Sequence, residues 1–430
     1  MSVEVFPRIV RAGADTTVYI KGRLFEKDTD YAVVCLPLQT PALQTPSRMH
    51  QPLSYEIEAD GTLSVRCFFA AEQAYRLSVH EVPVVFDKPL AVLSLYALEA
   101  DLFALRPYKG DLHMHSNRSD GREDPAHVAA ACRRIGLDFM ALTDHGQYQP
   151  SLDAIKAYEH VKADLKMFPG EEVHAPGNPL HIINFGGKYS INELFEQPGY
   201  HEKIQALAEQ LGDLPDGVDR TAYAASVWAF DQIREAGGLG IFCHPYWVAI
   251  SESCSQGYYI PEAMITCLFD QQPYDAFELL GGYHLHESDA NNLQVARYQE
   301  ERAHGKQIPI VGVSDAHGCE NSDLFGWFYT IVFAPDSGLE SLTHAVKDLR
   351  SVAVEALPGE VARVYGPYRL VKLALFLLRD VFPAHDVLCR REGEHMLAYY
   401  RGDETAAGQL ARMQGQCGRL MQRYFGLPDK

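Results

Sequence analysis

The chain has 430 residues, 47% hydrophobic and 22% charged, too long for one ordinary core and typical of a globular protein. Its 38 Lys and Arg against 57 Asp and Glu give a net charge of −19, which removes global electrostatic support for non-specific nucleic-acid binding. Nine cysteines, an odd number without a C-x-x-C pair, suggest neither a disulfide framework nor a zinc ribbon.

The N-terminus carries Glu4 where a signal peptide would be positively charged, and the most apolar stretch, Leu373 to Leu378, is far below spanning length. A cytoplasmic protein with no membrane partner is expected. Residues 1–105 read as closely spaced short strands, among them VYIKGRLF (18–25), YAVVCLPL (31–38) and a hairpin in LSYEIEADGTLSVRCFF (53–69) turning at Asp60-Gly61. This pattern predicts an N-terminal domain resembling a β-sandwich. From 106 to 350, apolar strand-like runs alternate with helical ones: DLHMHS then AHVAAACRRIG, DFMALTDH then SLDAIKAYEHVKADL, and later GLGIFCHPY, AFELLGG and PIVGVSDAH. Such alternation predicts an α/β domain with a parallel sheet, open or closed into a barrel. Residues 351–430 read as a helical extension suited to packing or a subunit contact, which leaves a homo-oligomer open.

The chemistry-bearing residues fall at the C-terminal ends of the apolar runs. His113 and His115 are two apart in an extended segment, so both imidazoles point to one side. Asp120 lies in the polar turn Ser119-Asp120-Gly121, Asp144-His145 closes the next run, and Glu171-Glu172 sits in P-G-E-E-V. His244 closes GIFC, and Asp315 and His317 close PIVGV. Any one of these could be an ordinary hydrogen-bonded residue, but their recurrence at strand ends, where parallel α/β folds place their chemistry, points to a metal cluster.

In this order DLHMHS with SDG, ALTDH, PGEEV, HIINFG, FCHP and VGVSDAH resemble the motifs of the PHP (polymerase and histidinol phosphatase) superfamily over about residues 108–320. The resemblance implies a distorted (β/α)7 barrel with up to three divalent ions. It assigns the first ion to His113, His115, a glutamate and Asp315, the second to that glutamate, His181 and His244, and the third to Asp120, His145 and His317. The family pattern selects Glu172, with Glu171 the alternative; His174 competes with His181. Nitrogen and oxygen donors without thiolate suit two to three ions of Zn²⁺, Mn²⁺ or Fe²⁺. Such ions acidify a shared water and stabilise charge developing at phosphorus.

Asp144 is read as orienting His145 or as a buried helix cap, Arg118 as gripping a phosphate oxygen or as an exposed loop arginine without a partner, and Tyr246 and Trp247 as lining the pocket or packing in the core. The expected activity is hydrolysis of a small-molecule phosphoester. The alternatives are a carboxylic ester, carbamate or amide hydrolase at the same ions, an exonuclease, which the charge disfavours, and a metal-binding module without activity.

Overall fold

The computed structural model describes residues 3–22, 25–39, 53–83, 88–248, 259–282, 289–320 and 324–427. Cys254 and the 23–24 portion of the first predicted strand lie outside them. The chain divides into two compact units: residues 1–106 with 375–385 and 415–430, and residues 107–374 with 386–414. The helices Tyr368–Asp380 and Phe382–Tyr400 are thus shared between the units. No helix among the described residues is long and apolar enough to cross a membrane.

Among its described residues the first unit contains eight strands: β1 (Glu4–Phe6), β2 (Ile9–Arg11), β3 (Ala14–Lys21), β4 (Tyr31–Pro37), β5 (Tyr55–Ile57), β6 (Leu63–Phe69), β7 (Gln73–Glu81) and β8 (Ala91–Leu98). They pair as two four-stranded sheets, β1-β3-β6-β5 and β2-β8-β7-β4. Alternate residues of β3, including Val18 and Ile20, are buried while Tyr19 and Lys21 are exposed, the period of two that a one-sided strand requires. Val18, Leu63, Val65, Leu77 and Leu95 join in one apolar core. The β5–β6 hairpin turns through Gly61 (φ 77°), and Asp60 Oδ1 accepts from Thr62 N at 3.0 Å.

The second unit is mixed α/β. A six-stranded sheet runs β11 (Lys166–Phe168), β10 (Phe139–Ala141), β9 (Arg106–Asp111), β17 (Phe328–Ala334), β18 (Ser351–Glu355), β19 (Arg363–Tyr365). A five-stranded sheet runs β12 (Gly170–His174), β13 (His181–Phe185), β14 (Leu239–Phe242), β15 (Ala276–Leu280), β16 (Ile310–Gly312). Leu112, Phe139, Ile183, Ile241 and Val311 from both sheets share one apolar cluster. Among the described residues the strands do not form one closed ladder; two isolated parallel bridges, Met114–Ala316 and His145–Glu172, link the sheets. Helices cover the strands with ordinary capping: Asp124 caps Pro125–Arg134 through Ala126 N, and Asp219 caps Arg220–Glu235 through Thr221 N and Ala222 N.

The sheet departs from the all-parallel expectation. Strand β13 is antiparallel to both β12 and β14. The connection from His174 to His181 is too short for the crossover that parallel neighbours need, so the chain must fold back as a hairpin. The reversal matters for the site. It places His181 at the N-terminal end of its strand, yet beside the end of β14 that leads to His244.

Candidate metal centre

Alternation builds the first part of the site. After β9, Leu112 and Met114 enter apolar clusters, while His113 and His115 take the opposite side. The segment is zipped to the distant D-x-H motif: Asp315 N donates to the His113 carbonyl (2.9 Å) and His115 N to the Ala316 carbonyl (3.0 Å). On β12, Glu171 and Glu172 face opposite ways. Glu171 accepts from Asn184 Nδ2 (3.0 Å), Ser190 Oγ (2.7 Å), Ile191 N (2.5 Å) and Asn192 Nδ2 (2.8 Å), so its ligand capacity is spent. Glu172 is the carboxylate that the histidines surround.

Around Glu172 stand His145 Nδ1 (2.5 Å), His181 Nδ1 (2.7 Å), His113 Nε2, His115 Nε2 and His244 Nε2 (each 3.5 Å), and His174 Nε2 (3.6 Å). Asp315 Oδ1 lies 2.9 Å from His115 Nε2 and 3.2 Å from His113 Nε2. At the more exposed edge, Asp120 lies 3.4 Å from His145 Nε2 and 3.3 Å from His317 Nε2. All nine residues read as ligands are therefore within one cluster, and His174 joins them. His244 (φ 20°) and Asp315 (φ 50°) hold left-handed backbone conformations that cost non-glycine residues energy.

The donor set fits divalent cations. Glu172 is fully buried, and neither of its oxygens has a hydrogen-bond partner among the described residues, although six imidazoles approach it. Carboxylate oxygens and neutral imidazole nitrogens both present lone pairs, so packing them this closely needs protons or metal ions between them. With protons alone, burial opposes charging His145, but Asp120 and Glu172 outweigh it and push the ring up to about 10. Burial holds His181 down to about 4 against the pull of Glu172. Burial likewise opposes ionisation of Glu172, yet His181 and His113 keep its carboxyl well below the usual range.

The two expected catalytic residues sit elsewhere in the hydrogen-bond network. Asp144 accepts from the backbone and hydroxyl groups of Ser116 and Ser119 at 2.8–3.1 Å, so its carboxylate shapes the loop after the H-x-H. Arg118 pairs with Asp124 at 3.6 Å and is half-exposed. Tyr246 packs on an apolar cluster, and the Trp247 ring meets His244 edge-on at 5.8 Å. Sequence reasoning missed Glu278, which is fully buried with Oε2 3.0 Å from His113 Nδ1. Its signal was a lone carboxylate inside the otherwise apolar strand AFELL. Cys243 is beside this pair, but burial pushes its thiol up and Sγ donates to the Ile241 carbonyl at 3.4 Å, so it remains a thiol.

Residues 111–212 match the PHP domain family. Over 113 residues, 26% of this chain, the sequence is 31% identical to the DNA polymerase/3′-5′ exonuclease PolX of Bacillus subtilis (strain 168). The chain spans 20% of that relative's length. Among solved structures it is similar to a two-domain protein of Bacteroides vulgatus ATCC 8482 containing a predicted PHP-like metal-dependent phosphoesterase, at TM-score 0.42 and 18% identity, covering 64% of this chain and 71% of that one. It is also similar to an amidohydrolase from Chromobacterium violaceum with bound sulfate, at TM-score 0.30 and 19% identity over 49% and 87% of the two chains.

Proposed function

From the premise that this chain carries a PHP domain at residues 111–212, we propose that it is a metal-dependent hydrolase of small phosphoesters. The observation that carries the reading is Glu172: a fully buried carboxylate, without hydrogen bonds among the described residues, approached by six histidine nitrogens. His113, His115, Glu172 and Asp315 would hold one ion, Glu172, His181 and His244 a second, and Asp120, His145 and His317 a third. The links Met114–Ala316 and His145–Glu172 are where a distorted seven-stranded barrel would close around them. Ions of this kind supply an acidified water and charge stabilisation at phosphorus.

The chain's own contribution is to orient the ligands and limit access. Asp144 and the Ser116 and Ser119 hydroxyls fix the loop that carries Asp120. The Trp247 ring lies edge-on against His244 at 5.8 Å. The overall charge of −19 favours a compact substrate that meets mainly the local field of the ions. The likeness to PolX over the PHP portion is the specific observation on the side of a nucleic-acid substrate.

The decisive experiment screens protein loaded with Mn²⁺ or Zn²⁺ against phosphomonoesters, phosphodiesters, carboxylic esters and single-stranded DNA. Turnover of a small phosphoester, abolished in Glu172→Gln, is expected. Efficient DNA degradation with small phosphoesters untouched would replace this reading with a nuclease. Cleavage of the carboxylic ester alone would move the reaction to carbonyl carbon.

A further inference from the structure

We propose that His174 is a positioning residue that fixes the orientation and tautomer of His145, so that His145 Nε2 is presented to a divalent ion shared with Asp120 and His317. The proposal rests on the metal-centre reading above, but it concerns a residue outside that ligand set.

Strand geometry places His174 where this can happen. It lies two residues beyond Glu172, on the same side of β12, and directly opposite His181 across the hairpin. Its backbone N donates to Asn192 Oδ1 at 3.0 Å, and Asn192 Nδ2 also donates to the Glu172 carbonyl at 3.0 Å. The main chain under the imidazole is therefore held, although its side chain is 35% exposed.

Two acceptors lie near His145 Nδ1. Glu172 Oε2 is closer, at 2.5 Å, but it has no hydrogen-bond partner among the described residues, so the ring N–H does not point at it. His174 Nε2, at 3.0 Å with the two ring planes at 85°, has the geometry of a hydrogen bond. A single proton occupies that bond. If it belongs to His174, a neutral His145 carries its own proton on Nε2, facing Asp120 at 3.4 Å, and cannot donate a lone pair to a metal there. If it belongs to His145, Nε2 is bare and ready to ligate, and His174 Nε2 is the acceptor that makes this tautomer the stable one.

Two other histidines of the cluster are fixed the same way. A carbonyl can only accept, so His317 Nδ1 must donate to the Asp315 carbonyl at 2.8 Å, which leaves Nε2 bare and 3.3 Å from Asp120. His113 Nδ1 has Glu278 behind it, which leaves Nε2 facing Asp315. For His145 the corresponding outer partner is another imidazole. The competing role for His174 is as a ligand with Glu172 and His181, whose donor atoms lie within 4.8 Å of its own. Its Nε2 lone pair cannot serve a metal ion and the His145 N–H at once.

The test titrates Mn²⁺ into the metal-free 430-residue chain and counts the free ion by electron paramagnetic resonance, alongside thermal melting of each metal-free variant. His174→Phe should weaken one Mn²⁺ equivalent by about 10–100-fold while the remaining equivalents and the melting temperature stay near wild type. His174→Gln, whose amide oxygen can accept from His145 Nδ1, should restore that equivalent; His174→Ala substitutes for the phenylalanine variant should that one fail to fold. Unchanged binding of every equivalent in His174→Phe overturns the proposal. Weakening in both the Phe and the Gln variants overturns it in favour of direct ligation. A wild-type protein that binds less than half an equivalent removes the metal-centre reading itself, a failure seen before any variant is made.

Discussion

Glu278 Oε2 lies 3.0 Å from Nδ1 of His113, and both side chains are fully buried. The carboxylate makes Nδ1 the protonated nitrogen and aims Nε2 at Asp315 and Glu172. Glu278→Ala is expected to lower metal affinity by about 10–100-fold, measured as metal retained after dialysis. Glu278→Gln should recover much of the loss, since its amide oxygen still accepts from Nδ1. Equal loss in both variants would mean that the charge, rather than the orientation, is what His113 requires.

The two adjacent glutamates should separate cleanly. Glu172→Gln is expected to abolish activity and release metal. Glu171→Gln replaces one oxygen by an amide among four hydrogen-bond donors, so it should cost about 1–3 kcal/mol of stability while metal content is kept. Elemental analysis paired with thermal melting distinguishes the two. The opposite pattern would place the bridging carboxylate at 171.

Metal uptake should release protons. In the metal-free cluster His145 is pushed up to about 10, so at neutral pH it is charged and must lose a proton to ligate. Affinity should therefore rise with pH across the neutral range, and it should flatten once pH passes about 10. Calorimetry in two buffers of different ionisation enthalpy reads the released proton directly. Identical heats in both buffers would mean that the ion does not engage His145.

Backbone strain gives a fourth expectation. Asp315 holds φ 50°, a conformation that asparagine tolerates well. Asp315→Asn should lose at least one metal equivalent, and because His113 and His115 hold the Asp315 carboxyl below its usual range, the metal-free variant should also melt a little lower than metal-free wild type. A large drop in melting temperature would show that Asp315 holds the fold as well as the ion.

Much of this candidate site was legible because residues able to ligate a metal interrupt apolar strands, and apolar runs ending in His, Asp or Glu stand out in a linear sequence. What could not be read depends on pairing. The antiparallel turn of β13 puts His174 beside His181, and no local pattern in HAPGNPLHIINFG announces that two histidines will sit across one hairpin. Glu278 was hidden for the opposite reason, since AFELL reads as an ordinary buried strand until the neighbour of its one carboxylate is known. Asp144 was read as a partner of His145 by adjacency, but in an extended segment adjacent side chains diverge, and its carboxylate turns to Ser116 and Ser119. The parallel-sheet expectation assumed uniform pairing, whereas short connections allowed hairpins to enter the sheet.

The seam between the H-x-H and D-x-H motifs joins residues 200 positions apart in the chain. Contacts of such sequence separation form slowly, because the loop they close must first be ordered. During synthesis, the segment bearing His113 and His115 will have left the ribosome well before its partner strand exists. An ion shared by His113, His115 and Asp315 would therefore be captured late in the biogenesis of this chain, and its retention would report that the D-x-H segment has already docked.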